Sequence, residues 1–153
     1  MIFVGLPASG KTTFYQRRFA ATHQHISKDL WTNTANKDRR QAEILRQAFS
    51  QGLSVVIDNT NPAPSDRAPV IAIAREHEAR VIGYYFTATT REAIGRNRGR
   101  EGKARVPDVA IFTRAKRMVK PMVEEGFDEL YSVTIDPDGD FIVQPMTAPP
   151  VEG

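Results

Sequence analysis

The chain of 153 residues contains no cysteine. Disulfide bonds, thiolate metal sites and a cysteine nucleophile are therefore excluded, and the composition fits an intracellular protein, with the cytoplasm as the default expectation. The sequence also has no apolar run near the roughly 20 residues that a membrane-spanning helix needs, and its N-terminus lacks the basic flank and apolar core of a signal peptide. We therefore expect a soluble protein without a membrane partner.

Basic residues are missing from the last part of the chain. Residues 121–153 contain eight acidic residues and no lysine or arginine, whereas residues 91–120 contain ten basic and three acidic residues. The formal net charge of +3 hides this asymmetry. Such a basic block suits a polyanionic ligand such as a nucleotide or a nucleic acid, or it is a solvated helix face rich in arginine.

The apolar pattern predicts an α/β chain in which strands and helices alternate. The run Ser54 to Ile57 is continuously apolar after its first residue, which is typical of a central parallel strand covered by helices on both faces. We predict strands at 2–4, 54–57, 81–86, 131–135 and 141–143, the last two forming a hairpin, and a second strand between the first two of these that ends near residue 29. Helices are predicted at 11–21, around 44–49, at 65–79 with Ser65 as cap, from Thr89 or Thr90, and from Pro107 to before Pro121.

The length of the chain limits the number of domains that it can form. With 41% hydrophobic residues, the chain can bury one ordinary core, and it is too short for two full domains. We expect a single domain over residues 1–144 and a flexible C-terminal tail over residues 145–153. The order of elements predicts a three-layer fold with a mainly parallel central sheet.

The segment GLPASGKTT, Gly5 to Thr13, matches the phosphate-binding pattern G-x-x-x-x-G-K-[ST] in full, between a predicted strand and a predicted helix. Its glycines let backbone N–H groups point at phosphate oxygens, and the helix N-terminus adds partial positive charge. The pattern therefore predicts a P-loop kinase or NTPase fold that binds ATP and Mg²⁺, with Lys11 on the outer phosphates and Thr12 on the metal. The other expected contacts to ATP are Gly5, Pro7, Ala8, Ser9, Gly10 and Thr13.

Two acidic residues are predicted at the same edge of the sheet as this loop, where ligands of parallel α/β sheets bind. Asp29 lies near the expected end of the second strand, and a carboxylate there can accept the proton of an attacking hydroxyl. We predict that Asp29 is this catalytic base; the alternative is a solvated residue at the start of a helix. Asp58 ends the apolar run Val55 to Ile57 as in a Walker B strand, and is expected to hold the water shell of the metal or the acceptor.

The polar residues after Asp58 allow two interpretations. Asn59, Thr60 and Asn61 offer neutral donors and acceptors that suit a phosphate or a sugar, or they simply form a turn before Pro62. The residues alone do not choose between the two. His23 and His25 flank a glutamine in a predicted loop and have no partner pattern, so we expect them to be surface residues.

The segment from residue 96 to 107 combines a helix end, two glycines and five cations. This composition predicts a hinged basic lid. An arginine on a closing lid stabilises charge on a transferring phosphoryl group, and Arg100 and Arg96 are the candidates, Arg100 for catalysis and Arg96 for contact with ATP. The alternative is a solvated loop whose charges aid solubility.

Four segments together resemble the 5′-kinase domain of polynucleotide kinases. They are the loop GLPASGKTT, the pair Lys28-Asp29, the heptapeptide VIDNTNP at 56–62, and the stretch 96–107 followed by a helix and Glu125-Gly-Phe127. The resemblance implies transfer of the γ-phosphate of ATP to 5′-hydroxyl ends of DNA or RNA, as in the repair of nucleic-acid ends. Asp29 resembles the family's general base, Arg100 its lid arginine, and Lys28, Asp58, Asn59 and Asn61 its substrate-side residues.

The sequence departs from this family at two positions. Some members have an arginine three residues after the base, where this chain has Thr32, and Lys37, Arg39 or Arg40 are the nearby substitutes. Lys28 replaces an arginine that often precedes the base, which keeps the charge but loses the bidentate fork. The competing hypotheses are a small-molecule or sugar kinase of related P-loop fold, including the zeta-toxin type, and a nucleotide-dependent switch. The sequence implies no protein partner.

Overall fold

The fold was analysed in a computed structural model, which describes residues 1–31, 33–102 and 105–146. Five helices and six strands occur along these residues, and strands and helices alternate over the first eight of these elements, as the apolar pattern predicts. The strands are β1 (Ile2–Val4), β2 (Gln24–Ile26), β3 (Val55–Asp58), β4 (Ile82–Phe86), β5 (Glu129–Ile135) and β6 (Phe141–Pro145), and the helices are α1 (Lys11–Arg18), α2 (Lys37–Ser50), α3 (Pro64–Glu76), α4 (Thr90–Arg98) and α5 (Asp108–Arg117).

One six-stranded sheet, in the order β2-β3-β1-β4-β5-β6, forms the centre of the molecule. The first five strands are parallel, and β6 pairs with β5 in antiparallel fashion across the hairpin. All residues of β1 and β3 are buried, which explains why their sequences do not alternate. The predicted three-layer fold with a mainly parallel sheet is confirmed. Within the described residues, no helix has the length and apolar character needed to cross a membrane.

The core lies on both faces of the sheet. On one face α1 contributes Phe14 to an aromatic cluster with Phe3 and Phe86, whose ring centroids lie 5.3–5.7 Å apart. A larger aliphatic cluster, which includes Leu45 of α2 and Ile73 of α3, fills the other face. A third and smaller cluster holds α4 and α5 against the phosphate loop through Leu6, Ala93 and Ile111. Two helices are thereby fixed close to the predicted site.

Several element ends differ from the sequence prediction. Helix α1 ends at Arg18 rather than near residue 21, because the chain turns at Phe19, whose ring joins the aromatic cluster. Ser65 does not cap α3: the helix begins at Pro64, and the carboxylate of Asp66 accepts a hydrogen bond from Ala63 N at 3.0 Å. The first turn of α3 is therefore capped by a residue inside the helix.

The first two residues of the predicted C-terminal tail, Pro145 and Met146, belong to the fold. Pro145 is the last residue of β6, and Met146 N donates a hydrogen bond to Leu130 O at 2.9 Å. The rest of the predicted tail, residues 147–153, lies outside the described residues. Residues 103 and 104 of the predicted lid and Thr32 also lie outside them.

A buried arginine ties α3 to the segment that follows α5. Arg67 is fully buried; its Nε and Nη2 donate to the two carboxylate oxygens of Glu125 at 2.8 and 3.0 Å. Its Nη1 donates to Asn61 O at 2.8 Å and to Val119 O at 3.1 Å. A buried guanidinium group is stable only when its N–H groups have acceptors. Arg67 therefore holds α3 to the chain at residues 61, 119 and 125.

This arrangement predicts that Arg67→Ala destabilises the fold by about 3 kcal/mol or more, because Glu125 and two carbonyl groups lose their buried partner. The free energy of unfolding in urea measures the effect. Arg80→Ala is the control, since Arg80 is exposed and pairs with Glu129 at 2.7 Å. That change is expected to cost less than about 1 kcal/mol. Similar small losses in both variants would contradict the role given to Arg67.

Candidate active site

The phosphate loop connects β1 to α1 and has the tight backbone that its glycines allow. A Cβ atom on Gly5 would lie 2.8 Å from Phe86 Cβ and 2.9 Å from Ser9 Oγ, so only glycine fits there. Gly10 precedes α1 with φ of 96°, a conformation that other residues rarely adopt. Gly5 N donates to Thr60 O at 3.1 Å, which joins the start of the loop to the end of β3. The loop is thus a rigid cradle for an anion at a helix N-terminus.

Lys11 is buried beneath this cradle. Its Nζ donates to the carbonyl oxygens of Gly5 at 3.0 Å and Leu6 at 2.7 Å. Burial lowers the pKa of Lys11 to about 8; the nearby charge of Arg100 also lowers it, whereas Asp58 and Asp29 oppose the shift. A partly desolvated ammonium group of this kind interacts strongly with an added anion.

Asp58 lies at the carboxyl end of β3, buried beside the first turn of α1. Its Oδ2 accepts hydrogen bonds from Thr12 Oγ1 and His25 Nε2, both at 2.8 Å. Burial alone would raise the pKa of Asp58, but the His25 bond, the Lys11 charge and the Thr12 bond outweigh it, so the pKa lies below its usual value. The carboxylate is therefore ionised near neutral pH, next to the hydroxyl predicted to bind the metal.

His25 belongs to this site, although it was expected to be a surface residue. The residue lies on β2, not in a loop, and its ring stacks on Tyr15 of α1 with centroids 4.2 Å apart and planes at 15°. The Tyr15 hydroxyl in turn donates to His23 O at 2.7 Å. The second strand was expected to end near Asp29, but its start was not predicted, so His25 was assigned to a loop. The strand at 24–26 runs parallel to β3 and ends beside Asp58, which places His25 in the site.

Asp29 is an exposed residue in the short 3₁₀ turn Lys28–Leu30 that follows β2. Its backbone N–H donates to Ser27 Oγ at 3.3 Å, which fixes the turn at the carboxyl edge of the sheet. The carboxylate is close enough for its charge to act on Lys11. The structure therefore brings Asp29, Asp58 and Lys11 to one edge, as predicted from their positions after successive strands.

The asparagine side chains after Asp58 form hydrogen bonds with other groups of the protein. Asn61 is buried with φ of 46°, and its Nδ2 donates to Phe3 O at 2.8 Å. Asn59 accepts from Lys28 N at 2.9 Å and donates to Gln41 Oε1 at 2.7 Å. Both asparagines thus hold the ends of β1, β2 and β3 in register. Their contact with a substrate remains a prediction.

The ammonium group of Lys28 contacts α2. Its Nζ forms a close ion pair with Asp38 Oδ1 in the first turn of that helix. Arg39, one of the suggested substitutes for the missing arginine, pairs with Glu43 at 3.2 Å. Lys28 and Arg39 therefore each already face a carboxylate, and the role of Lys28 at a substrate stays a prediction.

The predicted lid begins at the end of α4, where Arg96 is half buried and Arg100 follows the helix. Asn97 is fully buried and anchors the segment: its Nδ2 donates to Val106 O at 2.5 Å, its Oδ1 accepts from Val106 N at 3.0 Å, and its carbonyl accepts from Arg100 N. Asn97 was not recognised from the sequence, because nothing local marks it. It holds Arg100 near Lys11.

The residues of the loop and Asp58 fit ATP and Mg²⁺. The cradle formed by Gly5 and Gly10, with Lys11 beneath it, fits phosphate groups. Thr12 Oγ1 and the carboxylate of Asp58 supply the two oxygen groups that hold a nucleotide-bound Mg²⁺ in P-loop proteins. No group of three or more His, Asp or Glu side chains that could hold a metal occurs among the described residues. A divalent ion here would therefore depend on nucleotide and water oxygens.

Comparisons with known proteins agree with this geometry. A bifunctional polynucleotide phosphatase/kinase of Schizosaccharomyces pombe is 28% identical over 137 residues, which are 87% of this chain and 33% of that protein. The chain thus spans about a third of the length of the curated relatives it matches. The similarity to a polynucleotide phosphatase/kinase agrees with the family resemblance of the sequence motifs.

Two solved structures share the fold. Kti12 of Chaetomium thermophilum in complex with ADP-AlF3 has a TM-score of 0.64 at 17% identity and covers 88% of each chain. A fungal RNA kinase has a TM-score of 0.65 at 17% identity, covering 91% of this chain and 77% of its own. The family model described as "AAA domain" matches residues 1–122. Because this match includes the phosphate loop, both acidic residues and the lid, the chain belongs to the AAA domain family of P-loop proteins.

Proposed function

We propose that this chain is a polynucleotide 5′-hydroxyl kinase that transfers the γ-phosphoryl group of ATP to the 5′-hydroxyl end of DNA or RNA. The observation that carries the proposal is the convergence of Lys11, Asp58 and Asp29 on one edge of the sheet, above a complete phosphate loop. The relatives named polynucleotide phosphatase/kinase support nucleic acid as the acceptor.

The proposed mechanism assigns a separate task to each residue. The loop N–H groups and Lys11 bind the donor phosphates, and Arg100 approaches from the lid as charge develops on the transferring group. Asp58 keeps Thr12 Oγ1 oriented through their 2.8 Å hydrogen bond. Asp29 accepts the proton of the attacking hydroxyl, for which its exposed position at the edge leaves access. When bound, Mg²⁺ offsets the charge on the phosphate oxygens.

The first test is transfer of labelled γ-phosphate from ATP to 5′-hydroxyl oligonucleotides, with single-stranded DNA and RNA side by side. We expect label at the 5′ end. Asp29→Asn is expected to lower the rate constant of transfer by about 10²–10⁴, because the proton acceptor is lost, while the Kd for ADP changes little. No label on either oligonucleotide, despite binding of ADP, would reject nucleic acid as the acceptor and favour a small-molecule or sugar kinase.

Equal transfer rates for Asp29→Asn and the parent would remove Asp29 from the chemistry. Asp38→Asn is a matched control, since Asp38 is exposed on α2 and pairs with Lys28. The control is expected to keep the parental rate constant within about threefold, because exposed ion pairs contribute little. Binding of the oligonucleotide is expected to weaken steeply as salt concentration rises.

Nucleotide affinity is expected to fall as pH rises above 8. The pKa of Lys11 in the free protein is about 8, and bound phosphates favour the charged form, so binding above pH 8 requires uptake of a proton. The affinity for ADP, measured by titration calorimetry from pH 7 to 9, is therefore expected to decrease toward tenfold per pH unit at the upper end. Lys11→Met should bind weakly with little pH dependence. An unchanged parental Kd up to pH 9 would contradict this account.

A further inference from the structure

Helix α5 holds a third cation beside the phosphate loop. The helix is fixed there by Ile111, which is fully buried against Leu6 and Ala93. Its C-terminal end is fixed as well, because Val119 N donates to Pro62 O at 2.7 Å. Side chains on the face of α5 that contacts the 58–62 segment are therefore held at the carboxyl edge of the sheet.

Arg114 is the side chain of α5 that reaches the site. Its Nη1 donates to Thr60 Oγ1 at 3.1 Å, and the carbonyl of the same Thr60 accepts the N–H of Gly5 at 3.1 Å. One residue therefore separates the guanidinium group from the first glycine of the phosphate loop. The charge of Arg114 acts on Lys11, in the same direction as that of Arg100.

The contacts of Arg114 differ from those of the other arginines around it. Arg117, one turn further along α5, pairs with Asp66 at 3.3 Å, and Arg67 pairs with Glu125. Among the described residues, no carboxylate lies within ion-pair distance of Arg114, and its hydrogen-bond acceptor is the neutral hydroxyl of Thr60. A guanidinium group has five N–H donors in a planar fork, so most of the donors of Arg114 stay available to an anion.

Three cations from different elements thus converge on one place: Lys11 from α1, Arg100 from the lid and Arg114 from α5. Surface arginines without a carboxylate are common, and such an arginine alone would indicate nothing. Here the guanidinium group of Arg114 is held by Thr60 beside a phosphate loop, where an added anion is attracted to all three cations. At Lys11 the charges of Asp58 and Asp29 act in the opposite direction to those of Arg100 and Arg114.

We propose that Arg114 is a catalytic residue that binds an oxygen of the transferring phosphoryl group as it passes from ATP to the acceptor. In that step the bond from the γ-phosphorus to the β,γ-bridging oxygen breaks, and its electron pair leaves with ADP. A bond from phosphorus to the acceptor oxygen forms, and the hydroxyl proton goes to Asp29. The inference rests on the phosphoryl transfer proposed above, and it holds for any hydroxyl acceptor.

The test separates binding of the transition state from binding of ADP. For the parent and for Arg114→Ala, the Kd is measured for ADP with Mg²⁺ and for the same mixture with aluminium fluoride, which mimics the transferring group. We expect Arg114→Ala to keep the Kd for ADP within about twofold and to lose the additional affinity that fluoride confers. We also expect the rate constant of γ-phosphoryl loss from saturating ATP, to oligonucleotide or to water, to fall by about 10²–10³.

Two further variants serve as controls. Arg117→Ala removes the same charge one turn away on the same helix and is expected to behave as the parent. Arg114→Lys keeps the charge without the planar fork and is expected to recover part of the rate, which excludes misfolding as the cause of the loss. An Arg114→Ala protein with the parental rate constant, or with an equal loss of affinity for ADP, would overturn the inference.

Failure of the role proposed for Arg114 and failure of the proposed function give different results in these experiments. If the parent hydrolyses ATP without labelling an oligonucleotide, the polynucleotide acceptor is rejected, whereas the comparison of Arg114→Ala with the parent is still made on hydrolysis. If the parent labels oligonucleotides and Arg114→Ala does so equally fast, only the role of Arg114 is rejected.

Discussion

The buried ammonium group of Lys11 is the interaction on which the arrangement of the site depends. Burying a positive charge is costly unless nearby groups accept its hydrogens and offset its charge. The carbonyl groups of Gly5 and Leu6 do the first, and Asp58 contributes to the second. Asp58 is itself buried, and it depends on His25 and Thr12 for the hydrogen bonds that keep it ionised. The end of β3, the strand β2 and the first turn of α1 are therefore coupled through one carboxylate.

The polar residues around this pair divide into a supporting layer and an accessible layer. Asn59, Asn61 and the fully buried Arg67 bond to backbone or side-chain groups within the protein and fix the carboxyl ends of β1 and β3. Asp29 is exposed at the edge, as is Arg114, so these side chains remain accessible to a ligand. This division suits the proposed roles, because a side chain that acts on a substrate must be accessible and the groups around it must hold it in position.

Much of the fold could be predicted from local patterns. The continuous apolar runs of β1 and β3 indicated buried parallel strands, and the turn residues between β5 and β6 indicated a hairpin; both are confirmed. Predictions of element ends were less accurate, because ends depend on contacts that local sequence does not show. The end of α1 follows from the packing of Phe19 in the aromatic cluster. The start of α3 follows from a cap that Asp66, not Ser65, supplies.

The sequence by itself determined the phosphate loop, the order of strands and helices along the chain, and the presence of acidic residues after two strands. These features are set by local backbone requirements, since Gly5, Gly10 and Lys11 must have fixed spacing for the loop to close and for the lysine to reach the carbonyl group of Gly5. Only the tertiary structure decided that His25 supports Asp58 and that Arg114 reaches Thr60. The partners in these two pairs are 33 and 54 residues apart in the chain, and what joins them is the packing of β2 on β3 and of α5 on the loop.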